Sequence, residues 1–322
     1  MKSFDKKIAV VTGGGNGIGR ALVMQLTAAG CHVALCDLSE RDMAETLRLC
    51  QQAIDSGIRV TAHKCDVSSE AQLSAFQQQV AEQHHTEHIN LLFNNAGISG
   101  GQSFVRDDRE HWDKVFSICW GGVYLGCRVF MPMLLASDEA HIINTSSVNG
   151  FWACLGDTVE HSAYSTAKFA VKGFSESLVV DLRKNAPHIG VSVVMPGHIG
   201  TSIALNSQKM WLGESADMSA QDIAELRARW ARINPDAAQL TDDMVRDLAQ
   251  SSGEKFRDEA PTTADQAAQV ILQGVQQKQW RILVGDDAIT LDKTVRDNPE
   301  EAYSGEFFEL ANAPLKKVNK TL

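Results

Sequence analysis

The sequence predicts an α/β fold: a doubly wound, mostly parallel sheet with helices on both faces. Three observations carry this. Short apolar segments of strand length alternate with amphipathic segments of helix length for nearly 200 residues. A glycine-rich turn, Thr12-Gly13-Gly14-Gly15-Asn16-Gly17-Ile18-Gly19, joins the first apolar segment to the first helical one. Chemistry-bearing residues recur at the ends of the apolar segments, the edge where ligands bind in open α/β sheets.

The elements follow in order. Ile8 to Val11 is a short apolar strand, and Gly17 to Ala29 is a helix ending at Gly30. His32 to Cys36 is the second strand and Arg41 to Ile54 the next helix. Val60 to Lys64 precedes a helix from about Ser69 to Gln83, and Ile89 to Phe93 is the fourth strand. A long helix from about Arg109 to Ala136 follows, with strain expected at Pro132. His141 to Thr145, a helix over Ser162 to Lys184, and Val191 to Met195 complete the alternation. Such near-continuous apolar strands are those of a parallel sheet buried on both faces. From Thr201 to about Ala260 the pattern breaks into polar, helix-prone sequence containing Trp211 and Trp230. A helix from Thr263 to Lys278 and a strand from Arg281 to Val284 follow. The tail from Asp286 to Leu322 has weak periodicity and a basic end.

The 322 residues are 44% hydrophobic and 22% charged, ordinary for a globular protein with a sizeable core. The net charge of −10 argues against nucleic acid and anionic membranes as partners. The cysteines, Cys31, Cys36, Cys50, Cys65, Cys119, Cys127 and Cys154, are odd in number and form no CxxC pair, as in a reduced, cytoplasmic protein. No signal-peptide pattern precedes the first strand, and no apolar run approaches membrane-spanning length.

Gly13, Gly17 and Gly19 lie between a strand and a helix, the context in which a glycine turn admits a pyrophosphate to a helix N-terminus. Asp37 ends the second strand, where a carboxylate accepts hydrogen bonds from ribose hydroxyls and repels a 2′-phosphate. Neither Leu38 nor Asn16 is basic, so NAD is expected over NADP. Asp66-Val67 and Asn94-Asn95-Ala96-Gly97 close the third and fourth strands on the same edge. Ser147 ends the fifth strand, with Ser146 adjacent; from local chemistry either hydroxyl could hold a substrate oxygen. Seventeen residues beyond Ser147 stand Tyr164 and, four further, Lys168, which share one helix face. An ammonium beside a phenol favours the phenolate and lowers a pKa that starts near ~10, as a general acid/base near neutral pH requires. His84, His85 and His88 are read as an exposed helix end or loop rather than a metal site, and no metal is expected. His198, after Pro196-Gly197, is a loop residue that can enter the crevice.

These residues resemble the short-chain dehydrogenase/reductase family in its compact branch, strongly over Lys6 to Thr201 and more weakly over Thr262 to Gly285. The resemblance rests on Thr12 to Gly19, Asp66-Val67, Asn94 to Gly97, Ser147, Tyr164 with Lys168, and Pro196-Gly197, in the family's order. It implies a Rossmann-type, seven-stranded sheet without a separate catalytic domain. Residues 1–285 would be one dinucleotide-binding and catalytic domain, with 201–260 a helical substrate lid and 286–322 a C-terminal extension. Tyr164 would be the acid/base, Ser147 would steady the reacting oxygen, and Lys168 would hold the nicotinamide ribose and lower the tyrosine pKa. Gly13, Asn16, Gly17, Ile18, Gly19, Asp37, Asp66, Val67, Asn95, Ala96, Gly97, Pro196, Gly197, Ile199 and Thr201 would complete the cofactor site with Tyr164 and Lys168. A homodimer or homotetramer is implied, joined partly through the helices holding Trp112 to Leu135 and Tyr164 to Leu182.

One position departs from the family: Cys119 stands where an asparagine helps hold a water of the proton relay, and a thiol is a weak hydrogen-bonding group. The stretch between Ser147 and Tyr164 is also a few residues longer than usual, so Phe151 to Glu160 should border the substrate pocket. The expected activity is interconversion of a secondary alcohol and a ketone. Phe151, Trp152, Met210 and Trp211 point to an apolar substrate or to core packing. The alternatives are a non-catalytic NAD-binding regulator or assembly subunit, kept open by Cys119, and lyase or epimerase chemistry, which the compact glycine spacing disfavours.

Overall fold

The computed structural model describes residues 1–53, 57–100, 103–106, 108–154, 160–213 and 218–308. β1 (Ile8–Thr12), α1 (Gly17–Ala28), β2 (His32–Asp37), α2 (Glu40–Ala53), β3 (Val60–Lys64), α3 (Glu70–His84) and β4 (Leu91–Asn94) alternate as the pattern requires. α4 (Arg109–Phe116) and α5 (Gly122–Leu135) precede β5 (Ala140–Thr145), α6 (Ser162–Asn185) and β6 (Ile189–Pro196). The sheet order is β3-β2-β1-β4-β5-β6-β9, with β9 at Arg281–Val284, and every pairing is parallel. The chain reverses its winding between β1 and β4, which places a crevice at their carboxyl ends.

All residues of β1 and β4 are buried because both sheet faces are covered. Period-two alternation sends Val10, Ala34, Leu92 and Ile142 to one face, against Phe76 of α3, Phe130 of α5 and Ala167 of α6. Ala9, Val11, Leu35 and Phe93 go to the other, against Leu22 and Leu26 of α1 and Ile271 and Val275 of α10 (Ala264–Gln276). Phe76 and Phe130 meet edge to face at 5.6 Å; truncating either to alanine should cost about 3–5 kcal/mol.

The long helix differs from the expectation. Its irregularity is not at Pro132, which lies inside α5, but in a π-helical turn over Ser117–Gly121. The turn's wider winding carries Cys119 fully inward, where its Sγ donates to Ile98 O at 3.3 Å. This helix, Arg109–Leu135, also has the length and mean hydropathy (1.5) to cross a membrane, against the expectation from apolar runs. Half of its most apolar window is packed inside the protein, as in a core helix.

Between β6 and α10 lie α7 (Ile203–Leu212), α8 (Ala220–Ile233) and α9 (Asp242–Asp258). They confirm the helix-prone reading of 201–260. Short strands β7 (Ile199–Gly200) and β8 (Thr262–Thr263) pair, so the inserted chain leaves and returns at one point. Met218, Ile223, Val245 and Ala249, with Leu226 and Trp230, form a small apolar core within the insertion. A Ser219–Asp222 capping box starts α8, and Thr241 caps α9.

The weakly periodic tail begins with a helix, α11 (Asp286–Asp297), which its pattern did not reveal. Ala302, Phe307 and Phe308 beyond it pack on Trp152. His84 is another correction. It is buried, with Nε2 2.9 Å from Thr61 Oγ1, because α3 packs back along β3; His85 is the exposed left-handed cap. Among the described residues no group of His, Cys, Asp or Glu is arranged to hold a metal ion.

Candidate active site

The carboxyl ends of the strands open onto a cavity of about 670 Å³. Gly13 has φ +65°, and a Cβ there would stand 2.8 Å from Ala96 Cα; only glycine lets the turn lie against the end of β4. Asn16 Oδ1 accepts from Gly17 N–H at 2.6 Å and caps α1. Gly13, Asn16, Gly17 and Ile18 line the cavity, so the positive end of α1 faces it. Gly19 does not line it. It lies beneath the turn, where a Cβ would stand 2.0 Å from Gly13 O, and so serves the approach of helix to turn.

On the β2 side, both carboxylate oxygens of Asp37 are oriented by backbone. Oδ2 accepts from Gly15 N–H and Oδ1 from Ser39 N–H, each at 3.0 Å. Arg41 also lines the cavity here, a basic residue that inspection of Leu38 and Asn16 missed. It is 84% exposed and its Nε lies 3.5 Å from Asp42 Oδ1. Asp66 Oδ1 accepts from Ser68 N–H at 2.9 Å and from its hydroxyl at 2.7 Å, and Val67 lines the wall. Asn95 is turned toward the glycine turn: Nδ2 donates to Thr12 O at 3.2 Å and Gly13 O at 3.3 Å. It therefore locks the turn to β4 while it, Ala96 and Gly97 border the cavity.

On the β5 side, the structure separates the two serines. Ser146 Oγ donates to Lys168 O at 2.7 Å, while Ser147 Oγ accepts from Asn149 N–H at 3.2 Å and faces the Tyr164 phenol. Lys168 is 3% exposed; its Nζ donates to Thr145 O at 2.9 Å and lies 5.3 Å from the Tyr164 ring centroid. Burial pushes the Tyr164 phenol well above its ordinary range, the Cys119 thiol adds to this, and the Ser147 hydrogen bond opposes it. Burial also pulls the Lys168 ammonium down. The expected lowering of the tyrosine pKa is thus not found in the protein alone, because desolvation dominates. Nζ and Cys119 Sγ both lie beside Gly97, so the departing thiol borders the lysine.

Sequence reasoning missed His161. Its ring lies 4.7 Å from that of Tyr164, and it lines the cavity. Burial, with the charge of Arg229, holds its pKa down to about 4, so it is neutral. Its signal was only its place three residues before Tyr164. At the rim Arg106 pairs with Glu160, joining the loop after β4 to the start of α6. Pro196, Gly197, His198, Ile199 and Thr201 close the β6 side; His198 Nε2 donates to Phe256 O at 2.7 Å. Trp152 and Met210 reach the cavity, while Phe151 lies under Arg281 and Trp211 packs on His111.

A glycine turn at a helix N-terminus, a backbone-held acid on β2, and Tyr164 and Lys168 of α6 beside Ser147 at the end of β5 share one cavity, which fits an extended dinucleotide. The profile of the short chain dehydrogenase family matches residues 7–211. The chain belongs to that family. SadH of Mycobacterium tuberculosis is 31% identical over 296 residues, 92% of each chain. Levodione reductase of Leifsonia aquatica is 30% identical over 225 residues, 69% of this chain and 80% of its own. A short-chain dehydrogenase/reductase of Burkholderia phymatum, solved in complex with NAD, superposes with a TM-score of 0.74 at 27% identity, covering 93% of this chain and 96% of its own. The chain is therefore an oxidoreductase of this family on a Rossmann-like fold.

Proposed function

We propose that the protein is an NAD-dependent oxidoreductase that interconverts a secondary alcohol and a ketone on a small, apolar substrate. The observation that carries this is the shared cavity of Ser147, Tyr164 and Lys168 with the glycine turn and Asp37. When bound, the dinucleotide supplies hydride transfer at its nicotinamide. Tyr164 takes the hydroxyl proton in oxidation and returns it in reduction. Ser147, beside the same phenol, orients the reacting oxygen. Lys168, fixed on Thr145 O, holds the nicotinamide ribose and presents charge to Tyr164. Asp37 retains lone pairs for ribose hydroxyls and repels a phosphate; Asp42 offsets the charge of Arg41. Pro196, Gly197, Ile199 and Thr201 hold the nicotinamide end.

The insertion 201–260 is proposed as a substrate lid on a single domain spanning 1–285. Its rooting at β7 and β8 supports this. Tyr124, Phe169 and Val180, exposed on α5 and α6, support a homo-oligomer through those helices. The free state of all seven cysteines suits a reducing compartment such as the cytoplasm.

Cys119 favours a second reading, a non-catalytic NAD-binding regulator, because its thiol is committed to Ile98 O rather than to a relay. A screen of secondary alcohols with NAD and with NADP, following absorbance of the reduced cofactor, separates the two. Reduced cofactor from NAD supports the enzyme; dinucleotide binding without turnover on any alcohol or ketone supports the regulator.

A further inference from the structure

The C-terminal helix α11 is held against the cavity at three places. Asp287 Oδ2 accepts from His198 N–H at 2.6 Å, beneath the loop after β6. Asp292, 7% exposed, pairs with Arg281 of β9 and accepts from Arg296 Nε at 3.0 Å. Leu291 and Val295 also pack with Trp152, Ala302 and Phe307. Trp152 Nε1–H donates to Ala302 O at 2.8 Å, and Ala153 N–H to Tyr303 Oη at 3.2 Å.

So held, α11 turns one face to the cavity. Asp287, Thr290, Leu291 and Thr294, spaced i, i+3, i+4 and i+7, all line it. Trp152, Val148, Met210 and Phe256 line the same cavity. Several polar groups in these walls are engaged within the protein. Thr294 Oγ1 donates to Thr290 O at 2.9 Å, and Asn149 Nδ2 to Trp152 O and Cys154 O at 3.2 and 2.8 Å. Ser207 Oγ donates to Ile203 O and accepts from Ser99 N–H. With these donors committed, the chamber offers a substrate mainly apolar surface.

We infer that α11 is the outer wall of the substrate chamber and that Leu291 and Thr294 set the bulk it accepts. The substrates it selects are secondary alcohols and ketones whose non-reacting part is apolar and large enough to reach the helix. This rests on the oxidoreductase reading. The test compares 2-propanol, cyclohexanol and 2-decalol with NAD in wild type, Leu291→Trp and Leu291→Ala. Ile289→Trp, on the solvent side of the same helix at 53% exposure, is the control. Filling the chamber should cut the ratio of kcat/KM for 2-decalol over 2-propanol by about tenfold or more, as overpacking does, while Leu291→Ala raises it and Ile289→Trp leaves it unchanged. Calorimetry of 2-decalone on the NAD-loaded protein gives a second readout without turnover: its Kd should rise about tenfold in Leu291→Trp only. A ratio and a Kd that do not respond to Leu291→Trp, or no binding of 2-decalone by wild type, overturn the wall. No turnover of any alcohol overturns the oxidoreductase reading instead, and the calorimetry still decides the wall.

Discussion

Mild acid should destabilise this protein through buried histidines, and His141 makes the effect calculable. It lies on β5 at 4% exposure, with Nε2 2.7 Å from Ser192 Oγ. Ser192 donates its own hydrogen to Gln279 O, so it accepts from His141 Nε2–H, and a second proton must go to Nδ1. Nδ1 lies against Gly190, where a Cβ would stand only 2.5 Å away. Burial, then the positive N-terminus and Lys278, hold the pKa to about 4, with Glu139 opposing. The folded value is below the unfolded one of ~6.5, so the unfolded chain binds the proton first. Stability is therefore full above about pH 6.5 and falls by ~1.4 kcal/mol per pH unit down to about pH 4, or about 2 kcal/mol by pH 5. His84, also held to about 4 chiefly by burial, adds a similar loss. Against a typical stability of about 5–15 kcal/mol this is large. Urea denaturation at pH 7 and pH 5 measures it. In His141→Gln the acid-induced loss should shrink by about 2 kcal/mol, whatever the variant costs at pH 7. An undiminished loss in that variant would refute the reasoning.

The remaining predictions concern the site. Asp37→Ala should narrow the preference for NAD over NADP in a binding titration, since it removes both acceptor and repulsion; equal or better NADP binding by wild type would overturn the assignment. Asp287→Ala should weaken NAD binding by about threefold to tenfold, because it frees His198 N–H and loosens the loop after β6; an unchanged Kd rejects the brace. Hydrogen exchange should rise in protection over α7 and the first turns of α8 when substrate and NAD bind. Uniformly slow exchange in both states would instead make the insertion fixed architecture. Ser99 N–H to Ser207 Oγ, at 2.8 Å, is one contact that must open and close in a moving lid.

The sheet was legible because parallel strands covered on both sides are continuously apolar, as in Ile8–Thr12 and Leu91–Asn94. The cavity was legible because each participant stands at a strand end or on a fixed helical spacing. What escaped has no such period. The face of α11 that reaches the cavity carries one large apolar residue, Leu291, among Asp287, Thr290 and Thr294, so it reads as polar tail. The π-helical turn at Cys119 leaves no compositional mark, whereas Pro132 marks a place where the helix stays regular. His161, at the start of α6, and Arg41, in the first turn of α2, belong to the cavity through where those helices begin, which spacing along the chain does not encode. The rise of the Tyr164 pKa depends on burial by residues distant in sequence, and so ran opposite to the local expectation from Lys168.

The central claim is that Tyr164 is the acid/base of an NAD-dependent alcohol–ketone conversion. It is tested most directly by the turnover of Tyr164→Phe beside wild type on an alcohol found in the screen, with NAD binding measured on both. The account predicts a fall in kcat of about 10² or more with NAD affinity within about twofold, because the ring stays and only the proton carrier is lost. Near-wild-type turnover by Tyr164→Phe would contradict it.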